Sequence, residues 1–335
     1  MKERKLFIDV ARGILIAIVV FHHFPHVVKL LGYSDTLCET IYKVRIVYTP
    51  FFMSAFFIIT GYCSNFRKDL VSFIVGNIKS ILLPAFTLGA ISVWINLAGE
   101  GCSDWTEYCK VGIKTLLMDG GPYWFLSSLF VAKIFFWGTI RINWGGGLSI
   151  IGFIIGLYLS SKHSNYEHWS VYHALILLPN LFVGKMIKDW HYDEKLFQPK
   201  WFLTIIVVYV TALLVCQNIF SDVPYVTHRI HVPTIEIPLY IILSISGSLA
   251  VLTISKAIRS RTLNYLGRKS LYIYCLHIAF LFVFVRIVGR LQFWDISLLL
   301  SLILAFVCIV LTIVLALLVE RLLNSKYLRF TIGMW

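Results

Sequence analysis

The sequence predicts an all-α, polytopic membrane protein of about ten transmembrane helices with both termini in the cytoplasm. Three observations carry that prediction. The first is composition. Of 335 residues, 59% are hydrophobic and only 14% are charged, and the mean hydropathy is +0.80. An ordinary soluble domain runs about 45–50% apolar and about 25% charged, and a soluble fold of this length could not hide so much apolar surface. The second is the recurrence of apolar runs of about 20 residues, the length that crosses a bilayer as a helix. They fall near 12–31, 46–64, 81–98, 122–140, 147–161, 171–187, 201–220, 237–256, 270–288 and 295–319. The third is charge placement. With the N-terminus inside, 20 of the 30 Lys+Arg fall in cytoplasmic segments and nine on the opposite side, with Lys133 inside a span. That is the bias the positive-inside rule describes.

The same placement accounts for the formal net charge of +13. Nearly all of the excess lies on the cytoplasmic rim, facing anionic lipid or an anionic cytosolic cofactor, and no nucleic acid is needed as a partner. Neither an internal repeat nor a long linker divides the chain, so residues 1–335 read as a single domain. The seven cysteines are scattered without a CxxC, and no metal is expected. Cys102 and Cys109 share one polar loop and can pair only if that loop faces an oxidising compartment.

The first span reads FIDVARGILIAIVVFHHFPHVV. It lacks a small-residue cleavage site and is retained rather than removed as a signal. Arg12, His22, His23 and His26 are ionisable groups where such groups are costly and usually face the bundle interior or a wet cavity. Arg12 and His23 are eleven residues apart, which is only about 20° beyond three full helical turns and a rise of roughly 16 Å. They share a face, Arg12 near the cytoplasmic boundary and His23 deeper, with Pro25 expected to weaken the helix just beyond the histidines. An arginine alone at that boundary also reads as a cation reaching for headgroups, and a lone histidine as a hydrogen-bonded core residue. His22 points about 100° away from His23 and reads as a contact to a neighbouring helix.

The second span ends in TPFFMSAFFIITGYCSNFRK, where Gly61 permits close helix packing. The third opens GNIKSILLPAF, with Lys79 entering the span and Pro84 kinking it. The fourth opens GGPYWFLSSLF, and Tyr123 and Trp124 there suit an interfacial aromatic belt. The ninth, GRKSLYIYCLHIAF, holds another in-span histidine, His277, one helical turn from Tyr274.

Taken in order, these blocks resemble the acyltransferase 3 family of membrane acyltransferases. The carriers are Arg12 and His23 in a DxARGxxIxxVVxxH-like context from Asp9, then PFFMSAFFIITGY, the basic-then-proline segment Lys79–Pro84, YWFL and SLYIYCLH. The order and spacing agree across nearly the whole chain, and the first block is most similar to the bacterial sugar O-acetyltransferase branch. Two positions depart. Thr60 precedes Gly61 where serine is more usual, and Ser80 stands where a second basic residue is expected beside Lys79.

The resemblance implies a ten-helix bundle in the bacterial inner (cytoplasmic) membrane, without the extracytoplasmic hydrolase-like domain of some members. It implies transfer of an acetyl group from cytosolic acetyl-CoA to a sugar hydroxyl of a surface glycan or its lipid-linked precursor. His23 would be the general base, with Arg12 beside it in the catalytic set and support from His277, Tyr123 and His22. Arg12, Arg67, Lys79 and Trp124 would hold acyl-CoA, the basic groups on its phosphates. Transfer of another acyl group, such as succinyl, stays open within the family. So do direct transfer against an acyl-His intermediate, and the oligomeric state, a homodimer included. Outside the family, a proton-coupled transporter is the alternative reading, since broken spans with in-span His and Arg also describe carriers. The lack of related halves and of acids at mid-span weighs against it.

Overall fold

The computed structural model describes residues 5–24, 27, 43–101, 104–119, 123–142, 144–162, 168–220, 233–290, 298–325 and 328. Among these there is helix and no strand, as a bilayer requires of any span that does not close into a barrel. The helices are α1 (Leu6–Phe21), α2 (Phe52–Cys63), α3 (Leu70–Asn77), α4 (Leu83–Gly99), α5 (Trp105–Ile113), α6 (Trp124–Thr139), α7 (Gly145–Ser160), α8 (Val171–Ile176), α9 (Leu178–Asp189), α10 (Asp193–Leu196), α11 (Pro199–Phe220), α12 (Pro233–Ala257), α13 (Arg261–Arg268), α14 (Ser270–Arg290) and α15 (Leu298–Leu323).

Among the described residues six helical stretches are long and apolar enough to cross a membrane: Leu70–Gly99, Trp124–Ile142, Pro199–Ile219, Ile235–Ala257, Ser270–Val288 and Leu302–Leu323. The remaining expected spans are shorter or broken. α1 and α7 have 16 residues and α2 has 12. The span expected at 171–187 divides at Leu177 into α8 and α9, with Pro179 in the first turn of α9.

Proline also shapes the first and third spans. α1 stops at Phe21, one turn earlier than expected. His22 N–H still reaches the carbonyl of Ile18, but His23 N–H bonds that of Val20, a tightened turn. The reason is covalent. Proline at position 25 has no N–H to give the Phe21 carbonyl. In the third span, the missing N–H of Pro84 leaves the Ser80 carbonyl without its usual partner. The chain answers with a π-helical turn at Ile78–Leu82, in which Leu83 N–H reaches back five residues to Ile78.

Two helix pairs meet at reciprocal glycines. A Cβ on Gly61 of α2 would strike the Leu181 carbonyl of α9, and one on Gly184 of α9 would strike the Ile58 carbonyl of α2. In the same way Gly13 of α1 abuts the Leu263 carbonyl of α13, and Gly267 of α13 abuts the Asp9 carbonyl of α1. Small residues let backbones approach where lipid supplies no hydrophobic drive between helices. The second pair fixes the height of α1 against the start of α14, and so sets which residues of those two helices face each other.

One end of the bundle gathers the loops assigned to the cytoplasm. Lys5 pairs with Asp193, and Tyr62 donates to the same carboxylate at 2.7 Å. Lys188 reaches the Ser64 carbonyl, Arg141 the Lys68 carbonyl, and Lys269 pairs with Glu320 at 2.6 Å. Residues 5 and 320, near the two termini, therefore lie at the same basic end.

Candidate active site

At the far end of α1 the two histidines have different surroundings. His22 is held. The Arg45 Nε–H donates to its Nδ1 at 3.2 Å, its ring stacks on Phe52 with centroids 5.3 Å apart, and Tyr48 meets it edge-on at 5.9 Å. His23 meets the His22 ring edge-on at 5.5 Å and also reaches α14. Its ring lies 5.2 Å from that of His277 on α14, tilted by 47°.

His277 is 1% exposed. Its Nδ1 lies 2.7 Å from the Tyr274 carbonyl oxygen. A carbonyl can only accept, so Nδ1 carries the proton and, in the neutral ring, Nε2 presents a bare lone pair. That Nε2 is buried with no hydrogen-bond partner. A buried acceptor left open departs from the general satisfaction of interior polar groups. Here it sits beside the ring of the histidine that the sequence singled out.

Aromatic rings continue the site away from the histidines. Tyr274 packs on His277 at 5.7 Å and on Phe125 at 5.4 Å, Phe125 meets Trp124 at 6.1 Å, and Trp124 meets His173 at 5.1 Å. Tyr123, at the start of α6, is buried against Gly89 of α4. No ring contact joins Tyr123 to His23, whereas Trp124 is connected to His277 through Phe125 and Tyr274.

At the basic end, Arg12 is half-buried and lies 3.8 Å from the Asp9 carboxylate, which Arg268 also approaches at 3.8 Å. Asp9 is buried at 2% exposure, so one carboxylate serves two guanidiniums. Arg67 is exposed in the loop after α2, and Lys79 is exposed on the π-helical turn. His26 and Cys102 lie outside the described residues, and Cys109 is an exposed free thiol.

The tether at this end has defined electrostatics. Burial pushes the Asp193 carboxyl up, but hydrogen bonds from Lys5 and Tyr62 outweigh it and hold the group below its ordinary value of 3.8. Burial pushes the Lys5 ammonium down, and its bonds to Asp193 and Tyr62 outweigh that too, leaving it above 10.5.

Three features were not assigned from sequence. The hold of Arg45 on His22 comes from a turn 23 residues away with no motif to mark it. The Lys5–Tyr62–Asp193 tether joins three remote segments. His173, fully buried with both ring nitrogens unpartnered, lies in the span that breaks.

A multi-pass helical bundle with a histidine pair in its interior and a basic end defines the class as a helical membrane protein, with the pair at the far end of a helix that starts among cations. The family model described as an acyltransferase domain matches residues 5–321. The chain therefore belongs to the acyltransferase 3 family and is a multi-pass membrane acyltransferase. Neither a curated protein nor a solved structure matches it.

Proposed function

We propose that this protein is a bacterial inner-membrane O-acetyltransferase. It moves an acetyl group from cytosolic acetyl-CoA to a sugar hydroxyl of a surface glycan or its lipid-linked precursor, through ten crossings with the basic end in the cytoplasm. The observation that carries the reading is the His23–His277 ring pair, in a chain that belongs to an acyltransferase family.

In this reading acyl-CoA enters at the basic end, where Arg12, with Arg67 and Lys79 nearer the surface, offers charge to its phosphates. The extended pantetheine arm, on the order of 16 Å by its bond count, matches the roughly 16 Å rise from Arg12 to His23. His23 removes the proton from the acceptor hydroxyl as its oxygen forms a bond to the thioester carbonyl carbon. The C–S bond then breaks, and the His23 imidazolium returns that proton to the departing thiolate. The products are the sugar ester and free CoA. His277 holds its proton on Nδ1, so its Nε2 is an acceptor that stabilises the positive charge developing on His23. His22, occupied by Arg45 and Phe52, positions the end of α1. Tyr123 shapes the wall of the site, and Trp124 offers a ring face to the acyl-CoA arm.

Mass spectrometry of surface glycans from cells with and without the gene tests this function. An acetyl mass lost with the gene and restored by complementation is the expected result. Unchanged glycan masses would count against it, and loss of a succinyl mass would replace the donor.

A further inference from the structure

α6 carries a lysine inside its membrane span. Lys133 lies between the fully buried Ala132 and Phe136 in sequence, and it is half-buried. Its Nζ stands 5.7 Å from the centre of the Phe73 ring of α3. Its electrostatic neighbours are Arg12 of α1, Lys68 in the loop after α2, and the Cys63 thiol that ends α2. It thus meets three other segments of the bundle rather than facing lipid alone.

Among the described residues no carboxylate pairs with Lys133. Four other cations at this end meet a carboxylate: Lys5 meets Asp193, Lys269 meets Glu320, and Arg12 and Arg268 meet the single Asp9. An ammonium inside a span is costly unless paired, and two like charges beside it raise that cost. A ligand with more than one negative charge relieves it.

Depth identifies the ligand group. Arg12 is an electrostatic neighbour of Lys133, and Arg12 lies roughly 16 Å along α1 from His23. A carboxylate on the acyl group would have to lie within a few ångströms of His23, so Lys133 is too far away to read it. The phosphates at the other end of a pantetheine arm fall at the right height.

Resting on the function proposed above, we infer that Lys133, with Arg12, forms the inner phosphate site of this enzyme and clamps the pyrophosphate of acyl-CoA. Phosphate also belongs to lipid headgroups, which share this chemistry. Enclosure by α1, α3 and the end of α2 favours the soluble donor.

The test is CoA binding to the full-length protein in phosphatidylcholine nanodiscs, compared with pantetheine, which lacks the phosphates. Lys133→Gln should weaken CoA about tenfold or more, the scale of one lost charge-assisted contact, and change pantetheine affinity less than about twofold. Lys133→Arg should recover most of the CoA affinity. Without ligand, the Lys133→Gln protein should melt no lower than wild type, because it has lost an uncompensated charge. Wild-type CoA affinity in Lys133→Gln overturns the inference, as does equal weakening of CoA and pantetheine. A Lys133→Gln effect confined to binding of added phosphatidylglycerol assigns the site to headgroups and overturns it as well. A wild-type protein that binds no CoA brings down the functional reading itself.

Discussion

The two ends of α1 treat polar groups in opposite ways. At the basic end nearly every buried charge has an answer: Asp9 between Arg12 and Arg268, Asp193 under Lys5 and Tyr62, Glu320 against Lys269. At the other end, in apolar surroundings, His277 keeps Nε2 open beside His23. Pairing at the first end holds segments together. The open lone pair at the second has no comparable structural use, and a base or acceptor for a passing proton is the use that chemistry gives it. Lys133 is the exception at the basic end, and it marks where a ligand replaces an acid.

The sharpest way to break this comparison is to unseat the scaffold that both ends share. Gly184→Val drives a side chain into the Ile58 carbonyl. Overpacking of this kind costs about 3 kcal/mol or more where backbone blocks the way, so the variant should fail to accumulate as a monodisperse peak in size-exclusion chromatography. The comparison is sharpened at the histidine pair. His277→Phe keeps a ring there and removes Nε2, and should lower the transfer rate about 10²-fold at unchanged CoA affinity. His277→Gln, which restores an acceptor, should recover part of the loss. A Phe variant as active as wild type would make His277 a packing residue.

The smallest effect concerns the paired end. Asp193 is depressed below 3.8, so its stabilisation is present above that pH and is lost as pH falls through the folded value. Lys5 is raised above 10.5, so its contribution is present below that pH and disappears as pH climbs beyond it. Since Lys5 is half exposed, its share is small. The melting temperature of wild type should therefore drop in acid by a few degrees more than that of Asp193→Asn, and transfer at neutral pH should be nearly equal in the two.

Much of this was legible in residues. The cost of ionisable groups in lipid pointed to Arg12, His23 and His277, and Gly61 announced a close crossing. The prolines announced breaks, although α1 ends at Phe21 because the proline acts four residues upstream of itself. Other features depend on chain segments meeting from afar. Helix geometry set His22 about 100° from His23, but its partners Arg45 and Phe52 come from a remote turn and helix that no motif marks. Asp193 sits in a polar stretch that looks solvated until α10 folds it under Lys5. Lys133 was visible as a cation within a span, but its meaning needed the neighbours Arg12 and Lys68. The count of crossings differs: apolar runs in the sequence suggest ten, whereas six described helices have spanning length and α1, α2 and α7 fall short of it.

The central claim is that His23 takes the acceptor proton within the membrane. It is tested by supplying acetyl-CoA labelled in the acetyl group, together with glycan from cells lacking the gene, to purified wild type and His23→Ala in nanodiscs. The expected result is labelled glycan with wild type and a loss of about 10²–10⁴-fold in His23→Ala, while both proteins bind CoA with equal affinity. Label transfer by His23→Ala at the wild-type rate would contradict the account.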